Sequence, residues 1–148
     1  MNQTSQANQA NQGNQANQAN QVNQGVTPEG MIVLQDHMFF ESLFRANRPI
    51  DESFLEPKAP WVCVQFSANW CGPCRRVDKA LLVKSSPSIV WYYCDIDQND
   101  TSLGYAGMRS IPGFCLIRDG IFKARKAGAS GTQDVLEWLK KENAPVQF

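Results

Sequence analysis

The sequence predicts an α/β domain: a mixed β-sheet with helices over both faces. Three observations point there. Short apolar runs alternate with segments whose apolar residues recur at helical spacing. The helices between the early runs imply parallel pairing for the first three strands. The Asp119-Gly120 pair between two later runs implies an antiparallel hairpin.

In order, residues 31–34 form the first strand. Residues 36–46 carry Phe39, Phe40, Leu43 and Phe44 on one helical face, with Asp36 as the N-cap. The proline-containing stretch 47–60 reads as a loop with one helical turn at 51–56. Residues 61–66, apolar and aromatic, form a buried central strand. A helix over 75–84 follows, with Val77, Ala80 and Leu81 at helical spacing, and then a buried strand over 89–96. A short helix ends at Tyr105, capped by Asn99 or Asp100. Residues 114–117 and 121–127 are the hairpin strands. The last helix spans 130–141, where Ser130 and Gln133 fit a capping box. Val135, Leu136, Trp138 and Leu139 give it an apolar side, and Lys140 and Lys141 suit its C-terminal turn.

This domain occupies residues 29–148. Residues 1–28 hold none of the 14 basic and 14 acidic side chains and repeat Asn-Gln-(Ala/Gly). That period matches neither helix nor strand. Ordering the repeat would cost backbone entropy that so little apolar mass cannot offset, so a disordered tail is expected. It has no basic start, long apolar stretch or arginine of the kind targeting segments carry, which points to a cytoplasmic location. A formal net charge of zero excludes functions driven by bulk positive charge on nucleic acid or anionic membrane. No apolar run approaches the roughly 20 residues of a membrane span.

The five cysteines stand at positions 63, 71, 74, 94 and 115. Cys63, Cys94 and Cys115 lie inside apolar runs and read as small buried hydrophobes. Cys71-Gly72-Pro73-Cys74 instead stands where a strand gives way to a helix. From the residues alone this pair is open to three readings: a redox couple, half of a zinc site, or a local structural disulfide. The junction favours the first. Unpaired N–H groups and the dipole at a helix start stabilise a thiolate. Cys71 is then the attacking sulfur at the exposed end, and Cys74, one turn in, resolves the mixed disulfide. Pro73 suits the first turn, whose N–H groups are unpaired in any case. Zinc lacks further close ligands, since the single histidine is the distant His37. No glycine-rich dinucleotide or phosphate loop is present, so neither cofactor nor metal is expected.

The stretch Val64-Gln65-Phe66-Ser67-Ala68-Asn69-Trp70-Cys71-Gly72-Pro73-Cys74-Arg75 resembles the active-site segment of thioredoxins. Asp95-Ile96-Asp97-Gln98-Asn99 and the segment 105–112, ending in Ile111-Pro112, resemble two further parts of that family. Residues 122–129, with Gly128, resemble its last strand and the glycine beyond, so the resemblance spans 31–142. It implies the thioredoxin fold and a cis Ile111–Pro112 bond whose loop packs against the cysteines and offers the Ile111 backbone to an extended substrate. It also implies that Trp70 lies beside the sulfurs as an apolar lid, that Gly107 and Gly128 are turn or close-approach glycines, and that Gly128 edges the substrate surface.

The implied function is protein-disulfide reductase. Cys71 attacks a protein disulfide, Cys74 releases the reduced product, and a flavin-containing, NADPH-dependent thioredoxin reductase restores the dithiol. A monomer with no direct nucleic-acid contact and no membrane association is implied. The same resemblance also covers disulfide oxidases and isomerases, and binding subunits such as a viral DNA polymerase processivity partner.

Several positions depart from the family pattern. Gln65 stands where a buried aspartate is usual, Tyr93 for a buried lysine, Ser67 for an aromatic, Gly113 for threonine and Lys79 for a kinking proline. Gln65 cannot act as a base, though its amide can hydrogen-bond to Tyr93, water or the thiol. The expectation is unhindered attack by Cys71 and slow resolution by Cys74.

Overall fold

The computed structural model describes residues 25–44 and 61–147 of the 148-residue chain. The repeat up to residue 24, positions 45–46 of the expected first helix, and the 47–60 loop with its turn at 51–56 lie outside the described residues. The elements follow in the order β1 (Ile32–Val33), α1 (His37–Glu41), β2 (Trp61–Ser67), α2 (Lys79–Ser85), β3 (Ile89–Asp95), α3 (Thr101–Tyr105), β4 (Gly113–Arg118), β5 (Ile121–Ala127) and α4 (Thr132–Lys141). A 3-10 turn, Pro73–Arg76, precedes α2.

The sheet order is β1-β3-β2-β4-β5. β3 runs parallel to β1 and β2, and β4 runs antiparallel to β2 and β5, as the alternation and the hairpin turn require. On one face, Cys63, Trp91, Phe114 and Leu116 meet Leu82 of α2 and Leu136 of α4. On the other, Val64, Phe66, Cys115 and Ile117 meet Phe40 of α1 and Leu103 of α3. Each fully buried aliphatic or phenyl side chain contributes about 1.5–3 kcal/mol. Cover on both faces extends over β2, β3 and β4 but not to β5, where Ile121, Phe122, Lys123 and Arg125 are exposed.

Local signals account for several elements. Asp36 caps α1, its Oδ1 accepting the Met38 N–H at 2.7 Å, but the regular helix ends at Glu41 and continues only as turns through Phe44. Asp119 and Gly120 both have positive φ, 53° and 76°, the conformation of a two-residue hairpin turn. Asn99 Oδ1 accepts the Ser102 N–H at 3.3 Å and so caps α3, where Asp100 makes no side-chain cap bond. Gly25 to Met31 fold back on β1 through an antiparallel bridge between Val26 and Ile32 and a 3.0 Å bond from the Val33 N–H to the Gly25 carbonyl. The domain's hydrogen bonding therefore begins four residues ahead of position 29.

Two expectations are corrected. The helix expected over 75–84 is broken: Val77 is extended (φ −93°, ψ 115°), and α2 restarts after Asp78, whose carboxylate accepts the Leu81 N–H. The Asp78 N–H donates to Thr132 Oγ1 at 2.7 Å, and that hydroxyl donates to the Arg76 carbonyl, so α4 pins the break. The expected Ser130–Gln133 capping box is also absent. Asp134 takes the Ser130 N–H at 3.0 Å while pairing with Lys126 of β5 at 3.2 Å, and Gln133 turns to Glu137. The Ser130 N–H and the Lys126 ammonium hold the Asp134 carboxyl below its ordinary range.

Candidate active site

The ends of β2 and β3 lie side by side, with Ser67 opposite Asp95, so the loops that leave them meet at one edge of the sheet. From β2 the chain turns through Asn69 and Trp70, and the Cys71 N–H returns to the Ala68 carbonyl at 3.1 Å. The 3-10 turn follows directly. It brings Cys74 back to Cys71, and the two sulfurs form a disulfide with their Cα atoms 5.3 Å apart. The Cys74 N–H donates to Cys71 Sγ at 3.1 Å. This bond favours negative charge on Cys71, and the relation is not reciprocal. Because the turn is four residues long and ends at the Val77 break, this N–H, and not the dipole of a long helix, distinguishes the two sulfurs.

Exposure does not distinguish them. Cys71 is 4% and Cys74 5% exposed, which corrects the expectation of an open Cys71. Ala68, Ile96 and Ile111 pack around the pair. Gly72 and Pro73, between the cysteines, are exposed. The Ile111–Pro112 bond is cis and seats Ile111 against the sulfurs. The Gly128 N–H donates to the Pro112 carbonyl at 2.7 Å from a backbone with φ 85°, which anchors the loop to the chain leaving β5. Gly113 follows the proline because a Cβ there would lie 3.1 Å from Met108 Sδ and 3.2 Å from the Ser110 carbonyl.

Trp70 is 63% exposed, not a lid closed over the sulfurs. Its indole N–H is shared between the two carboxylate oxygens of Asp97, at 3.0 and 3.2 Å. No local sequence signal marks Asp97 for this contact. The signal that finds it is topological: parallel neighbours end at the same edge, so a carboxylate two residues past β3 can meet a side chain three residues past β2.

Gln65 is 1% exposed, and its Oε1 makes no hydrogen bond. Neither the Tyr93 hydroxyl nor a thiol, two of the partners expected for its amide, donates to that oxygen. It lies between Tyr93 and Phe114 in the register of the sheet. A polar recess of about 120 Å³ opens beside Cys74, lined by Ser67, Asn69, Arg75, Lys79 and Tyr93. The other three cysteines are buried and unpaired. Burial pushes Cys94 and Cys115 up to about 12 and Cys63 well above the ordinary thiol range. Among the described residues no group of three His, Cys, Asp or Glu side chains is placed to hold a metal, and no helix is long and apolar enough to cross a membrane.

Residues 46–141 match the family model described as Thioredoxin, well over half of the chain. The chain belongs to the thioredoxin family. It is 33% identical over 103 residues to a thioredoxin of Rickettsia conorii, covering 65% of this chain and 97% of that one. Thioredoxin H-type 1 of Nicotiana tabacum is 31% identical over 87 residues, covering 57% and 68%. Among solved structures, Fasciola hepatica thioredoxin superposes with a TM-score of 0.55 at 26% identity, covering 74% of this chain and 97% of that one. A Nicotiana alata thioredoxin, with a TM-score of 0.60 at 18% identity over 76% and 91% of the two chains, shares the fold. This thioredoxin-family protein is a thiol–disulfide oxidoreductase, and its Cys71–Cys74 disulfide fits the family's Cys-x-x-Cys active site. Thioredoxins as a family reduce protein disulfides.

Proposed function

We propose that the protein works as a protein-disulfide reductase in which Cys71 attacks and Cys74 resolves. The Cys71 thiolate displaces one sulfur of a substrate disulfide, which leaves as a thiolate and takes up a proton. Cys74 then loses its proton and attacks Cys71 Sγ. The bond from Cys71 to the substrate breaks, and the substrate departs with two electrons from the dithiol. The single observation that carries this order is the 3.1 Å bond from the Cys74 N–H to Cys71 Sγ. It stabilises charge on the first sulfur only.

The substrate surface comprises Trp70, Gly72, Pro73, Ile111, Pro112 and Gly128, with Gln65 supporting from below. An extended peptide would pair with the Ile111 backbone. Re-reduction by thioredoxin reductase, a cytoplasmic location and a monomeric state complete the reading. Residues 25–28 are hydrogen-bonded to the domain, so the dispensable tail is shortened from residues 1–28 to 1–24, and removing residues 2–24 is expected to leave Tm nearly unchanged.

The order of attack is tested by incubating single-serine variants with a protein disulfide. Cys74→Ser should accumulate a covalent complex through Cys71 that dithiothreitol releases. Cys71→Ser should accumulate none. Equal trapping by both variants would overturn the order.

A further inference from the structure

The resolving step requires Cys74 to ionise, and no carboxylate among the described residues lines the recess that opens beside it. Among the described residues, the ionisable groups lining it with Cys74 are the cations Arg75 and Lys79 and the Tyr93 phenol. The Arg75 guanidinium is engaged at the rim, its Nη2 donating to the Asn69 carbonyl at 2.7 Å. Lys79 sits differently. It is the first residue of α2, and its Nζ lies 5.4 Å from the centre of the Tyr93 ring. An ammonium over an aromatic face gains attraction from the ring quadrupole, which holds the charge at the recess and restrains it from swinging into solvent. The break at Val77 and Asp78 makes this possible. It starts α2 anew, five residues beyond Cys74, with α4 pinning the start through Thr132.

The carboxylates nearest in the chain are already engaged. Asp78 accepts the Leu81 N–H at the N-terminus of α2. Asp95, at the end of β3, accepts the Asp97 N–H, and Asp97 holds Trp70. Gln65, paired in strand register with Tyr93, is neutral, with no protein partner for its Oε1 among the described residues. Among the described residues, then, no carboxylate lines the recess beside Cys74, while the Lys79 cation does.

We propose that Lys79, held over Tyr93, is a positioning residue for the resolving step: it keeps positive charge beside Cys74 as that thiol ionises. The proton leaves to water or buffer through the open recess, and the thiolate then closes the disulfide on Cys71 as written above. The inference rests on the order of attack already proposed, and its test separates the two.

The experiment is rapid-mixing kinetics of the reduced full-length protein with a protein disulfide from pH 6 to 9. Formation of the mixed disulfide is followed separately from its resolution. Lys79→Met should leave mixed-disulfide formation unchanged. It should slow resolution by about threefold to tenfold near pH 7, moving the rise of that rate to higher pH, as expected when a nearby positive charge is lost. Lys79→Arg should restore the rate, and added salt should narrow the gap between wild type and Lys79→Met. Equal Tm values for the variants would show that the fold is intact. An unshifted resolution profile in Lys79→Met, or an Arg variant as slow as the Met variant, overturns the role of the charge while leaving Cys71 attack in place. Absence of any mixed disulfide through Cys71 would overturn the reading on which it rests.

Discussion

The protein places cysteines in two settings, and their contrast shows what makes a thiol reactive. Cys63, Cys94 and Cys115 lie within strands, on both faces of the sheet. There the backbone N–H groups serve the strand ladders, and burial holds the thiols protonated. Cys71 and Cys74 are also more than nine-tenths buried. They sit just beyond a strand, where the tight turn leaves an N–H free to aim at a sulfur. Burial is common to the two sets, so reactivity follows from the local backbone.

The largest expected effect tests that contrast directly. In the reduced native protein a thiol reagent should modify Cys71, while Cys63, Cys94 and Cys115 react only after denaturation. Cys71→Ser should abolish disulfide reduction. Labelling of a strand cysteine in the native state, read by mass spectrometry, would break the comparison.

The second effect is alkaline instability. Cys94 and Cys115 ionise near 9.0 as model thiols and near about 12 in the fold. Between those values unfolding releases their protons, so stability is full below about pH 8.5 and falls as pH rises toward 12. By pH 10 each thiol should have cost about 1.4 kcal/mol. Denaturant midpoints measured from pH 7 to 10.5 check this, and Cys115→Ala should flatten the decline while costing about 1–2 kcal/mol at pH 7 through its cavity.

Gln65→Asp sharpens the comparison from below the site. A carboxylate there can take the Cys74 proton, and resolution should quicken by about tenfold. The buried charge should lower stability by about 1–3 kcal/mol, with Lys79 and the Tyr93 hydroxyl as partial compensation. Equal resolution rates in the two proteins would assign Gln65 to packing alone. The smallest effect is expected of Asp97→Asn. Its amide oxygen still accepts the indole N–H, so Trp70 fluorescence should change more than activity, which should stay within about twofold of wild type.

What was legible in the sequence was local. The Asp36 cap, the Asp119-Gly120 turn and the alternation of strands and helices depend on neighbours a few residues apart, so composition and spacing reveal them. The Cys-x-x-Cys pair was legible for the same reason. The break in the helix after Cys74 was not, because Thr132, 54 residues from Asp78, stabilises it. The capping of α4 was misread because Lys126 on β5 recruits Asp134 and leaves Gln133 to Glu137. Asp97 was missed as the partner of Trp70 because the two are 27 residues apart and meet only through the pairing of β2 with β3. The Tyr93 and thiol partners expected for Gln65 do not reach its Oε1, because side-chain reach across the paired strands depends on the register and not on local spacing.

The outer strands of the sheet bear on crowding. β5 carries Lys123, Arg125 and Lys126, of which Lys123 pairs with Glu142 and Lys126 with Asp134, so long charged side chains flank this edge and blunt it as a template for another strand. The opposite edge, β1, has two residues and is already bridged by Val26. Neither edge offers a long apolar template for aggregation. A stray extended chain that approaches the sheet therefore meets charged side chains at one end and an already bridged strand at the other.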